Sequence, residues 1–95
     1  MFTKTEMKLI DRQYFVVQKE NLFHICLKSK NTEHIWDIES RSVFWGKRSL
    51  VVHHKHKETD PFHVQPGFHP RTIMEAQELI KNHDKWHLNG RKSSF

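Results

Sequence analysis

Residues 23–28 read Phe23-His24-Ile25-Cys26-Leu27-Lys28, an alternation of apolar and polar side chains that decides the fold. Successive side chains of a β-strand point to opposite faces of its sheet, so this stretch predicts a strand with one apolar face and one polar face. A sheet built from such strands is covered on one side and solvated on the other. We therefore expect another element of the chain to cover the apolar face.

Further strands are predicted on both sides of this stretch. Phe15 and Val17 alternate with polar neighbours, and Glu20-Asn21 forms a tight polar break before residue 23. After a second break at residues 30–32, His34, Trp36 and Ile38 share one face of a third strand. The first half of the chain therefore predicts an antiparallel meander.

A later hairpin and one helix complete the predicted fold. Residues 50–56 and 62–65 suit two strands across a polar loop, and Pro66-Gly67 marks a turn. Thr72-Ile73-Met74-Glu75 has the form of a capping box, followed by apolar residues at helical spacing and a predicted stop at Asn82. This order predicts an α+β fold, an antiparallel sheet of three to five strands covered on one face by a single C-terminal helix.

Length and composition restrict the class of protein. The 95 residues suffice for one small domain over residues 1–95, with residues 85–95 as a flexible basic tail. No apolar run is long enough to cross a bilayer and none resembles a signal peptide, so we expect a cytoplasmic protein. Cys26 is the one cysteine, which excludes an internal disulfide, and its apolar neighbours favour a place inside a strand over a nucleophilic role.

The positive charge is concentrated in the middle of the chain. Residues 41–57 hold five basic residues and no acid, whereas the other 11 basic residues equal the 11 acids in number. Cations beside aromatic rings suit a phosphate backbone and unpaired bases. We therefore predict nucleic-acid binding, through a basic strip and a second cluster after the helix. The predicted contacts are Arg41, Phe44, Trp45, Lys47, Arg48, Lys55, Lys57, Lys85, Arg91 and Lys92.

Histidines are unusually frequent. The chain has nine, and five of them lie within residues 53–69. Neutral imidazole is a common ligand of zinc, copper, nickel and iron. If residues 50–56 form a strand, His54 and His56 share one face while His53 lies on the other, so His53 and His54 reach one ion only where a bulge or strand end re-aims one of them.

The pair His53-His54 is followed about thirty residues later by His83-Asp84-Lys85-Trp86-His87. This order resembles the colicin-like branch of the His-Asn-His nucleases, whose metal site lies on a hairpin and a helix. The resemblance covers residues 53–87 and implies that His53, His54, His83 and His87 supply the metal ligands and the general base. The chain departs from the family in its asparagine, because Asn82 is adjacent to His83 instead of several residues upstream.

Three functions therefore stay open. The first is nucleic-acid binding, the second is a protein-interaction module or small inhibitor with aromatic anchors, and the third is a metal-dependent nuclease. No phosphate-binding glycine loop, serine elbow or His-Glu-x-x-His motif is present, so no catalytic residue is assigned and binding is favoured over catalysis. The expected partner is nucleic acid or an acidic protein surface and no membrane, and a divalent metal is the one cofactor that the sequence suggests.

Overall fold

The computed structural model describes residues 1–42 and 48–90, with the backbone alone at residues 42 and 48. Its five strands form one antiparallel sheet in chain order, and a long helix follows them, which confirms the predicted α+β fold. No helix in these two ranges is both long and apolar enough to span a membrane. The elements are α1 (Lys4–Lys8), β1 (Phe15–Glu20), β2 (His24–Ser29), β3 (Ile35–Ser42), β4 (Arg48–Lys55), β5 (His63–Val64) and α2 (Ile73–Leu88).

The central three strands set the core by their register. Ile38 of β3 pairs with Ile25 of β2 on one side and with Val52 of β4 on the other. Two residues earlier, Trp36 pairs with Leu27 and with His54 in the same way. All of these side chains are buried, so this face of the sheet is mainly apolar and carries His54 near the end of β4.

Helix α2 covers this face. The Thr72 hydroxyl accepts a hydrogen bond from the Glu75 amide, and the Glu75 carboxylate accepts one from the amide of Arg71. Ile73, Ala76 and Ile80 join the buried cluster formed by the strands. The apolar half of the helix therefore lies over the middle of the sheet.

The N-terminal segment also contributes to the core, which the alternation pattern did not indicate. Thr3 and Glu6 form a capping box that begins the short helix α1. Phe2 and Ile10, on either side of α1, are both buried in the core. Helix α1 itself has no fully buried residue, but its partly buried Met7 packs against the core, so the helix and its flanks together attach this segment to the sheet.

Helix α2 is longer than the sequence suggested. It continues past Asn82 to Leu88, so residues 85–88, which were expected in a flexible tail, are helical. Asn89 caps its end and Gly90 adopts a positive φ of 70°, a conformation that favours glycine after a helix. The extra turns bring His83, Asp84 and His87 over the sheet. Residues 91–95 lie outside the described part of the chain.

Candidate metal centre

Six histidines meet where β3 begins, β4 ends and the last turns of α2 pass over the sheet. Each ring of this histidine cluster contacts at least one other ring of the cluster. The strands and their flanks supply four of the rings, and the helix supplies two at a spacing of four residues, which places both on one helical face. The members are His34, His54, His56, His63, His83 and His87.

His54 is the most enclosed member of the cluster. Its ring stacks on Trp36, with centroids 3.8 Å apart and planes 10° from parallel. Its Nδ1 lies 3.1 Å from the Gln65 amide oxygen, which only accepts hydrogen bonds, so we assign the ring proton to Nδ1. The lone pair is then on Nε2, which lies 3.1 Å from Nδ1 of His34. His54 therefore directs a metal-binding nitrogen into the cluster.

His34 connects the strands to the helix. It is buried, stacks on His56 with centroids 4.1 Å apart, and meets the ring of His87 edge-on at 4.4 Å. The Nδ1 atom of His87 is itself buried and has no hydrogen-bond partner within residues 1–42 and 48–90. Rings from two separate segments, β4 with its flank and α2, therefore contact the His34 ring.

The helix side of the cluster also carries a carboxylate. His83 contacts the rings of Trp36 and His54 at centroid distances of 5.1 and 5.0 Å. Next to it, Asp84 is fully buried and accepts hydrogen bonds from the Tyr14 hydroxyl at 2.7 Å and from Thr32 Oγ1 at 3.1 Å. Asp84 thus adds a buried carboxylate to the imidazole cluster.

Two sets of donor atoms are close enough to share an ion. In each set, one ligand atom per residue lies within 4.8 Å of the others, and both sets include His34. A tetrahedral zinc ion with bonds of about 2.0–2.1 Å separates its ligand atoms by roughly 3.3 Å. The 3.1 Å between His54 Nε2 and His34 Nδ1 is near that value, so small ring movements, with the His34 ring proton shifted from Nδ1 to Nε2, would admit an ion. The sets are His34, His54 and His56, and His34, His83 and Asp84.

Burial keeps the innermost imidazoles neutral. It lowers the pKa of His34 to about 4, with the nearby rings of His56 and His87 acting in the same direction. Burial likewise lowers the pKa of His54 to about 3, and the rings of His83 and His34 add to the effect. Since metals bind the unprotonated ring, both residues are in the ligating form at neutral pH.

No known relative bears on this site. No family model, curated protein or solved structure matches the chain.

The sequence named four candidate metal ligands, and the structure brings three of them together. His54, His83 and His87 lie in the histidine cluster, whereas His53 lies on the opposite face of β4, with its Nδ1 3.8 Å from Asp37 Oδ2. The same Asp37 oxygen lies 2.8 Å from Nδ1 of His24. The pleat of the strand therefore separates the His53-His54 pair, because neighbouring side chains point to opposite faces.

His34 and His56 were not named as ligands from the sequence. The signal for His56 was its shared strand face with His54, and for His34 its shared face with Trp36. Only the register of β3 and β4, in which Trp36 pairs with His54, shows that these two strand faces meet in one cluster. The end pair of this register, Ile35 with Lys55, places His34 opposite His56 at the next position.

The structure describes only some of the residues predicted to contact nucleic acid. Phe44, Trp45, Lys47, Arg91 and Lys92 lie outside the described residues, and Arg48 has only its backbone described. Arg41 pairs with Glu39 at 2.9 Å. Lys55 donates to the Glu58 carbonyl oxygen and lies over the Phe62 ring, while Lys57 and Lys85 are exposed. Two of the four described cations therefore have partners within the chain.

Proposed function

We propose that the protein binds one divalent transition-metal ion of the zinc class in the histidine cluster. His34, His54 and His56 would bind the ion from the sheet, and His83 would bind it from α2. The observation that carries this proposal is the approach of six imidazoles from four segments of the chain around His34 and His54.

The donor chemistry selects the class of metal. Imidazole nitrogen suits Zn²⁺, Ni²⁺ and Cu²⁺, whereas Ca²⁺ and Mg²⁺ require a set of oxygen ligands. Asp84 is the carboxylate within ligand distance of the cluster, and hydroxyl groups already occupy both of its oxygens. We therefore expect tight binding of Zn²⁺ and weak binding of Mg²⁺.

Titration with zinc tests this proposal. Isothermal titration calorimetry and native mass spectrometry of the metal-free chain should show one Zn²⁺ per chain. His54→Gln should weaken binding at least tenfold, because it removes an enclosed donor. His69→Gln is the matched control, since His69 is exposed and belongs to neither donor set. Equal zinc affinity of the two variants would reject the site.

We propose as a second candidate that the metal centre acts on nucleic acid as a metal-dependent nuclease. The observation that favours it is the order of elements, since a hairpin of β4 and β5 with His54 precedes a helix with His83 and His87. The same order underlies the resemblance to the colicin-like nucleases. The formal net charge of +5, and exposed Lys57 and Lys85 within two residues of cluster histidines in the sequence, suit a phosphate backbone.

Cleavage assays test the second candidate separately from metal binding. The zinc-, nickel- and magnesium-loaded protein would be incubated with plasmid DNA, single-stranded DNA and hairpin RNA. We expect cleavage that chelators stop and that His83→Gln abolishes. Metal binding without cleavage would reject the nuclease and leave the metal centre in place.

A further inference from the structure

We infer that Asp84 provides the negative charge that balances the metal ion and acts as a positioning residue for the histidine cluster. This inference rests on the proposed metal centre and assigns a role that the imidazoles cannot fill. Four neutral imidazoles would leave a divalent ion with its full charge inside the protein. A buried carboxylate beside them reduces that charge.

Burial is the first observation behind this role. Asp84 has no solvent exposure, and its hydrogen bonds come from the neutral hydroxyls of Tyr14 and Thr32. Within residues 1–42 and 48–90 no lysine or arginine forms an ion pair with it, and nearby Lys81 pairs with Asp11 at 2.9 Å instead. A buried carboxylate without a cation costs stability, and a metal ion bound beside it would reduce that cost.

Position is the second observation. One Asp84 oxygen lies within 4.8 Å of a ring nitrogen of His34 and of His83. A carboxylate that accepts a hydrogen bond from the ring of a metal-binding histidine orients that ring and raises its basicity, and Asp84 is near enough to do so after a small ring movement. Tyr14 and Thr32 fix the carboxylate, because each holds one of its two oxygens. The carboxylate is therefore already in place before an ion binds.

A purely structural role makes a different prediction. If Asp84 serves only to anchor α2 to the sheet through Tyr14 and Thr32, its removal destabilises the metal-free protein and leaves the zinc affinity of the folded chain unchanged. If it balances the charge of the ion, its removal relieves a buried charge in the metal-free protein and weakens zinc binding. The two roles therefore predict different changes in the stability of the metal-free protein and in its zinc affinity.

Asp84→Asn in the full chain separates these roles. We expect its zinc affinity to fall about 10–100-fold, as for other carboxylates next to metal-binding histidines. The urea midpoint of the metal-free variant should equal or exceed that of the wild type. Loading with Co²⁺ adds a spectroscopic measurement, since the visible absorption bands should shift in this variant. The matched control is Glu78→Gln, which removes an exposed carboxylate from the same helix.

Each outcome decides one question. A wild type that binds no zinc would reject the metal centre and this inference with it. A wild type and an Asp84→Asn variant of equal zinc affinity would reject only the role of Asp84. If Asp84→Asn does not fold, Tyr14→Phe replaces it, because this variant removes one hydrogen bond and keeps the carboxylate. Its zinc affinity should fall about threefold or more, because the carboxylate is no longer held beside the histidines. A zinc affinity equal to that of the wild type would overturn the inference.

Discussion

Nε2 of His54 lies 3.1 Å from Nδ1 of His34, although twenty residues separate them in the chain. The antiparallel pairing of β3 and β4 creates this contact, because it sets Trp36 opposite His54 and brings the start of β3 to the end of β4. Two imidazoles that share one hydrogen bond in the metal-free protein are then adjacent donors for an ion. Their effects on metal binding should not be independent.

A double-mutant cycle measures this dependence. His34→Gln and His54→Gln should each weaken zinc binding at least tenfold, and the double variant should lose little more than either single variant, because one ion needs both donors. Zinc affinities from competition with a coloured chelator give the coupling energy. Strictly additive losses would contradict the binding of one ion by both rings.

Acid should destabilise the metal-free protein well above the range in which carboxylates titrate. Burial lowers the pKa of His34 to about 4 and that of His54 to about 3, from 6.5 in the unfolded chain. Both folded-state values are depressed, so the unfolded chain binds more protons below pH 6.5. The stability present above that pH is therefore lost as the pH falls toward 3.

Urea unfolding in the presence of a chelator at pH 7.5, 5.5 and 4.5 measures this effect. Each extra proton bound by the unfolded chain lowers the free energy of unfolding by about 1.4 kcal/mol per pH unit. His54→Gln removes one such proton and should show a shallower decline. A wild type whose stability stays constant from pH 6.5 to 4.5 would contradict the assigned burial of these rings.

The strands were predictable from the sequence because their signal is local. Alternation over residues 23–28 and the shared face of His34, Trp36 and Ile38 need only the two-residue repeat of a strand. The capping box at Thr72 likewise placed the start of α2 within one residue of its observed position. Local periodicity and capping chemistry therefore account for the sheet and for the start of the helix.

The end of α2 and the full histidine cluster were not predictable in this way. Residues after Asn82 lack an apolar stripe, and this turn of the helix meets the sheet through Asp84, which accepts hydrogen bonds from Tyr14 and Thr32. The place of His34 depends on the β3–β4 register, which no local pattern specifies. Contacts between segments far apart in sequence therefore decide the site.

Truncation of Ile38 should destabilise the protein more than a change at an exposed apolar position. Ile38 has no solvent exposure and lies between Ile25 and Val52 in the centre of the sheet. Ile38→Ala leaves a cavity there and should cost about 2–5 kcal/mol in the free energy of unfolding. Leu22→Ala, at an exposed position, is the control and should change stability by less than about 0.5 kcal/mol in urea unfolding. Similar losses in both variants would argue against this core.

The Cys26 thiol should react slowly at neutral pH. Burial and the charge of Asp37, which pairs with Cys26 across β2 and β3, raise the pKa of this thiol to about 11. Because the thiolate is the nucleophile, the rate of alkylation by iodoacetamide at pH 7.5 should lie at least tenfold below that of a free cysteine peptide. The rate should rise with pH well beyond pH 9, and a plateau near pH 8 would contradict the raised pKa.

Gln77 should be the polar residue on which the attachment of the N-terminal segment depends. Its buried side chain accepts a hydrogen bond from the Asp11 amide at 2.8 Å and donates one to the Leu9 carbonyl oxygen at 3.1 Å. Gln77→Leu keeps the size of the side chain but leaves both backbone groups without a partner, at a cost of about 1–3 kcal/mol each. Urea unfolding should therefore show a loss of about 2–6 kcal/mol, and hydrogen exchange should speed up selectively at Asp11. Gln13→Leu, at an exposed position, is the control, and equal stability of the two variants would show that the segment is held by Phe2 and Ile10 alone.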